Sequence, residues 1–168
     1  AQPILAEVGM NFYVEKIADD ADNRYYIHSW VHNPTTAHED GTADYLGVEP
    51  TMDIDQRIFL TDPKDETKKS IYLYVDRGFR NVDDKNENPS PDRIKWYIDP
   101  VVGTNNGYKI YSKWKDNQGG YNDNVERNYY LSYYIGNQEE KPQKKFLVVT
   151  TDESKAETFY FINIEDYR

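Results

Sequence analysis

Cysteine is absent from the chain, which excludes disulfides, thiolate metal sites and a cysteine nucleophile but leaves the compartment open. Histidine is nearly absent: His28, His32 and His38 fall in one short stretch beside Glu39 and Asp40. On a helix His28 and His32 would share a face, but this stretch reads as a strand running into a loop, where that spacing does not converge ligands. No metal site is expected there. Apolar runs never approach the roughly 20 residues a membrane-crossing helix needs, so no membrane span is expected. Basic residues number 20 against 30 acidic ones, and the formal net charge of −10 repels phosphate backbones. Nucleic acid is not an expected partner.

Other signals are missing too. Pro, Gly and clustered Asn or Asp interrupt nearly every stretch long enough to show helical periodicity, so little or no α-helix is expected. No serine elbow, phosphate-cradling glycine loop or zinc-protease pair occurs, and neither catalysis nor a cofactor is expected. Asp84-Lys85-Asn86-Glu87-Asn88 begins like a calcium loop, but Pro89 stands where the glycine of the sharp turn belongs and Lys95 where the closing acid belongs. Asn33 and Asn88 are each followed by Pro, which voids both as glycosylation acceptors. The first residues, Ala1-Gln2-Pro3, read as a chain after signal-peptide removal, and secretion is the expectation.

What is present is aromatic. Sixteen Tyr, six Phe and three Trp bring aromatics to 15%, so the core has to be built largely from rings and β-branched side chains, a mixture that favours strands. A pattern repeats along the chain. Phe12-Tyr13-Val14 followed by Tyr25-Tyr26-Ile27 returns as Ile58-Phe59-Leu60 followed by Ile71-Tyr72-Leu73, and again as Trp96-Tyr97-Ile98 followed by Tyr108-Lys109-Ile110. Between the halves lie Asp19-Asp20-Ala21-Asp22-Asn23, Asp62-Pro63-Lys64-Asp65 and Gly103-Thr104-Asn105-Asn106-Gly107, all rich in turn formers. Each unit is expected to be a β-hairpin. The first half occurs a fourth time, without a following partner, in Thr158-Phe159-Tyr160-Phe161-Ile162. Asp44-Tyr45-Leu46-Gly47-Val48 is similar to Tyr129-Tyr130-Leu131-Ser132-Tyr133, and Lys145-Phe146-Leu147-Val148-Val149-Thr150 supplies a strand before the last. Long exposed loops are expected at 33–43, 77–92 and 115–127, where function tends to sit.

Three hairpin-bearing lobes and a solitary closing strand resemble a β-trefoil, in which three four-stranded units close a barrel capped by hairpins. The resemblance runs from about residue 11 to 166, with lobes at 11–56, 57–93 and 94–166 of a single domain spanning 1–168. A β-sandwich and a lipocalin-like barrel are the alternatives. The middle lobe is compressed, and Tyr72-Leu73-Tyr74-Val75 matches Tyr45-Leu46-Gly47-Val48 as well as it matches a hairpin return.

Among trefoils the ricin-like lectins resemble this layout, but their Gln-x-Trp survives only as the glutamine of Gln56-Arg57-Ile58; the corresponding places read Ile94-Lys95-Trp96 and Glu157-Thr158-Phe159. No sugar-binding residue therefore transfers. What scaffold and composition imply is a non-catalytic protein that binds a glycan or glycoprotein receptor through its loops. Trp30, Tyr45, Trp114, Asp116, Asn117 and Tyr121 are the candidates, aromatics to stack on a sugar face and polar groups to take its hydroxyls. For Trp30 and Trp114 a place in the core is the competing reading. Trp96, alternating with Ile94 and Ile98, is expected in the core. The mycocypins, cysteine-free trefoil inhibitors, are also similar in size and repeat. That resemblance implies a protease as alternative partner, met by the rigid loop Asn88-Pro89-Ser90-Pro91, since a preordered loop loses less entropy on binding. A toxin module docking a host receptor would share the lectin's surface chemistry.

Overall fold

The computed structural model describes residues 12–29, 45–48, 57–62, 65–79, 91–115, 123–135 and 145–161. Ten strands follow one another: β1 (Phe12–Lys16), β2 (Tyr25–Ser29), β3 (Tyr45–Val48), β4 (Arg57–Asp62), β5 (Asp65–Phe79), β6 (Tyr97–Pro100), β7 (Gly107–Lys115), β8 (Glu126–Ile135), β9 (Lys145–Thr150) and β10 (Phe159–Tyr160). Two 3₁₀ turns, Pro91–Ile94 and Glu153–Lys155, are the only helical pieces among the described residues. None of the described residues forms a helix long and apolar enough to cross a membrane.

All three repeated units are antiparallel hairpins. Val14 pairs with Ile27, Phe59 with Ile71, and Ile98 with Ile110. The turns carry the backbone shapes their residues allow: Asp19 and Asn23 in the first, Gly103 and Asn106 in the third, all lie at positive φ, where Asn, Asp and Gly fit most easily. The fourth copy of the half-unit is β10, which pairs with the start of β7 through Phe159 and Tyr108.

The compression of the middle repeat has a physical cause. Its hairpin return and the next strand are one continuous strand: the fifteen-residue β5 pairs with β4 through Leu73 and earlier residues, then with β3 through Val75, Asp76 and Phe79. Arg77–Phe79 are thus strand, and Pro91–Ile94 form a 3₁₀ turn, which corrects the expectation of one exposed loop over 77–92. At the ends of 115–127, Lys115 closes β7 and Glu126 opens β8. Segment 33–43 lies outside the described residues.

The ladders make two antiparallel sheets that share β5 and, among the described residues, do not close into a barrel. One runs β1-β2-β3-β5; the other runs β5-β9-β8-β7, with β4 beside β5 and β6 beside β7. Residues from both sheets meet in one apolar cluster: Ile27, Leu46, Val48, Leu73, Val75, Trp96, Ile110, Trp114, Tyr129, Leu131, Leu147 and Val149. Strand alternation sorts them. Along β7, Ile110, Ser112 and Trp114 are buried while Lys109, Tyr111 and Lys113 are partly exposed, as period-two side-chain direction requires.

Trp96 ties the sheets where no ladder joins them. Its backbone exchanges two hydrogen bonds with Tyr25 of β2, at 2.8 and 2.9 Å, and its fully buried indole Nε1–H donates to the Leu46 carbonyl of β3 at 2.9 Å. A second clamp lies nearby. The Arg24 guanidinium grips Asp20 with Nε and Nη2 (3.1 and 2.8 Å) and reaches Asp92 with Nη1 at 2.8 Å. This joins the first hairpin turn to the 3₁₀ turn that leads into Trp96. The bond from Arg24 holds the Asp20 carboxyl down at about 2, against the opposing effect of burial.

Two outcomes follow. Trp96→Phe keeps most of the apolar bulk but strands the buried Leu46 carbonyl, which should cost about 1–3 kcal/mol; Trp96→Ala adds a cavity and should cost about 3–5 kcal/mol. Urea denaturation measures both. Because the folded carboxyl of Asp20 titrates below its unfolded value of 3.8, it contributes stability above that value, and the contribution is lost as pH falls towards 2. Asp20→Asn should lower stability at neutral pH by about 1–2 kcal/mol and reduce its decline between pH 4 and 2, as thermal unfolding across that range will show.

Candidate functional site

The side of β7 that does not enter the core carries the best-defined group of chemically active side chains. Register sets them out: Tyr97 pairs with Tyr111, Tyr111 with Tyr130, and Asp99 with Lys109. Cross-strand partners share a face, so three tyrosines line up across β6, β7 and β8, with Asp99 and Lys109 one step along the strands. Tyr97 and Tyr111 stack with centroids 4.8 Å apart and planes 9° from parallel; Tyr111 and Tyr130 are 5.2 Å apart and tilted by 42°. Arg24 and Lys113 lie over the Tyr97 ring at 5.9 and 5.3 Å, and the Tyr97 hydroxyl donates to Asp22 at 3.2 Å.

Beyond Tyr111 the face opens into a cleft of about 290 Å³, walled by Asp99, Pro100, Val101, Val102, Lys109, Tyr111, Tyr130 and Glu153. Two local devices build it. The β6–β7 turn is held by the Thr104 hydroxyl, which donates to the Val101 carbonyl at 2.7 Å and accepts from the Gly107 amide at 3.2 Å. Gly107 has no room for a side chain: a Cβ there would stand 2.6 Å from Thr104 Oγ1 and from Thr158 Cγ2. On the other side, the 3₁₀ turn that presents Glu153 is capped by Asp152, whose carboxylate accepts from the Ser154 amide at 3.0 Å. Ser132 of β8 donates to the Lys155 carbonyl at 2.6 Å, and the Glu157 amide donates to the Leu131 carbonyl at 3.1 Å, pinning the segment across β8.

Polar groups of the cleft are already engaged in part. The Tyr111 hydroxyl donates to Asp99 Oδ2 at 2.7 Å, and burial, followed by the bond to Asp99, pushes its pKa well above the tyrosine range. It therefore remains a donor at neutral pH. Lys109 Nζ lies 3.5 Å from Glu153 Oε1. Such a site can take hydroxyls and amines by hydrogen bonding and pack one apolar face on the rings.

Of the residues singled out in the sequence, Trp114 and Tyr45 lie away from this cleft. Trp114 is 1% exposed, stacked on Tyr129 with centroids 4.0 Å apart and with the buried Arg93 guanidinium 4.0 Å over its ring. Of its two readings the interior one holds, and as a sugar-stacking residue it is corrected: no ring face is open to a ligand. Trp96 is in the core as expected. Tyr45 is half-buried on β3, 4.9 Å from the Tyr26 ring and 4.6 Å from His28. Burial, then the charge of Glu15, raises its pKa. It belongs to the other sheet and does not share the cleft. His28 itself bonds Glu15 at 2.8 Å, and His32 and His38 lie outside the described residues.

Trp30, Asp116, Asn117 and Tyr121 also lie outside the described residues, as do Asn88, Pro89 and Ser90; Pro91 opens the 3₁₀ turn that carries the buried Arg93 and Ile94 inward. The cleft residues Asp99, Lys109, Tyr111, Tyr130 and Glu153 are not among the sequence candidates. Their signal in the sequence is the complement of the core pattern: if Ile94, Trp96 and Ile98 point inward, then Tyr97 and Asp99 point outward. Comparison of the chain with protein-family models, with curated proteins and with solved structures returned no match.

Proposed function

We propose that the protein is a non-catalytic, secreted binding protein that holds a glycan, free or on a glycoprotein receptor, in the cleft between the β6–β7 turn and the 3₁₀ turn Glu153–Lys155. The observation that carries this reading is the meeting of two tyrosines, two carboxylates, one ammonium and two valines around a single cleft. Sugars present both an apolar face and a ring of hydroxyls, and a mixed lining of this kind suits both. The trefoil scaffold belongs to the same proposal: three hairpins and the lone strand β10 support it, while the two sheets, which share β5 and do not close into a barrel among the described residues, count against it.

Protease inhibition has one observation in its favour. Val102, wholly exposed, stands in a turn that hydrogen bonds of Thr104 and Gly107 hold in shape, and a preordered apolar tip is what a protease cleft accepts at low entropic cost. One experiment separates the readings. On a glycan array the folded protein should bind a restricted set of glycans, and Tyr111→Ala should weaken that binding about tenfold or more, the loss of about 1.4 kcal/mol. Silence across the array from protein with intact β circular dichroism would contradict the glycan reading. Inhibition of papain, legumain or trypsin by the same sample, abolished by Val102→Asp, would favour the second.

A further inference from the structure

Charge in the cleft is not balanced. Two carboxylates and one ammonium line it, and the ammonium of Lys109 is drawn to Glu153 although its register partner is Asp99. Asp99 is exposed and accepts from the Tyr111 hydroxyl through Oδ2; among the described residues no cation lies within ion-pair distance of it. That bond orients the carboxylate through Oδ2, and among the described residues no donor bonds Oδ1. Aromatic walls do not oppose a cation, since the ring faces carry negative potential. The chain's net charge of −10 draws cations and repels anions at a distance.

We propose that the cleft selects its ligand by a protonated primary amine, which pairs with Asp99 while the ligand's body lies against Tyr111 and Tyr130. Lys109 is the chain's own example of the chemistry, an ammonium already seated beside one of the two carboxylates. Anionic sugars, such as uronates, meet two carboxylates and are excluded. Acetylated amino sugars lose the charge and with it the charge-assisted bond, which is roughly twice as strong as a neutral one. The inference rests on the glycan reading of the same cleft and narrows it to amino sugars with a free amine.

Calorimetric titration of the full chain at pH 6, where an amine of ordinary pKa near 8 is charged, tests it with four probes: methyl glucosaminide, its N-acetyl counterpart, methyl glucoside and butylamine. The expected result is that methyl glucosaminide binds about five- to tenfold more tightly than the other two sugars, the worth of one exposed charge pair at about 1 kcal/mol. Asp99→Asn should abolish that preference, whereas Asp123→Asn, which removes an exposed carboxylate paired with Arg127 away from the cleft, should leave it intact. Raising the pH past the amine's own pKa should erode it. Equal binding of the three sugars, or a preference that survives Asp99→Asn, overturns the amine proposal and leaves the glycan reading standing. Binding of butylamine alone, lost in Asp99→Asn, supports amine selection and overturns the glycan reading; no binding of any probe overturns both.

Discussion

The bridge between Trp96 and Tyr25 is the constraint on which the rest of the molecule depends. Two sheets that share only β5 would be free to open at their other ends, because no ladder joins β2 to β6. Trp96 closes that gap with backbone bonds to β2 and an indole bond to β3, all in one fully buried residue. Leaving the buried indole or the Leu46 carbonyl without its partner would cost about 1–3 kcal/mol, so the indole bond helps hold β3 against the start of β6. The Arg24 clamp on Asp20 and Asp92 repeats the tie at the surface, and the turn bearing Asp92 also accepts the Ser112 hydroxyl of β7 at 2.7 Å. Through these bonds the start of β6 is held from both sheets at once.

Placement of the cleft follows from that. β6 begins directly after Trp96, so tethering the tryptophan fixes the inward face of Ile98 and the outward face of Tyr97 and Asp99 by strand alternation. The same alternation along β7 sends Ile110, Ser112 and Trp114 to the core and leaves Lys109, Tyr111 and Lys113 outside. Core and cleft are two sides of the same few strands. A rigid scaffold with its binding groups on paired strands holds those groups more closely than a loop would, and Tyr111 adds to this by orienting Asp99.

Much of the fold was legible in the chain. The three hairpins, the solitary β10, the strands of Tyr45–Val48, Tyr129–Tyr133 and Lys145–Thr150 and the core position of Trp96 all follow from period-two patterning and turn chemistry, which are local properties. What was not legible is pairing between segments far apart. Nothing local in Asp65–Phe79 says that one strand serves both sheets, nor that β9 skips β4 to lie on β5. The site failed to show for the same reason. Trp114 has the size and the polar neighbours of a sugar-stacking residue, yet strand parity places it with Ile110 and Ser112. Glu153 reaches Lys109 only because β8 and its bond from Ser132 bring the 3₁₀ turn across the face, a convergence no spacing encodes.

The central claim, that the outward face of β6 and β7 binds an amine-bearing sugar beside Asp99, is tested most directly by amide chemical shifts recorded while methyl glucosaminide is added to isotopically labelled protein. The account expects saturable shifts confined to Asp99, Val101, Val102, Lys109–Tyr111, Tyr130 and Glu153, with the amides around Tyr45 and Trp114 unmoved. Shifts centred on any other surface, or none at ligand concentrations that saturate calorimetric binding, would contradict it.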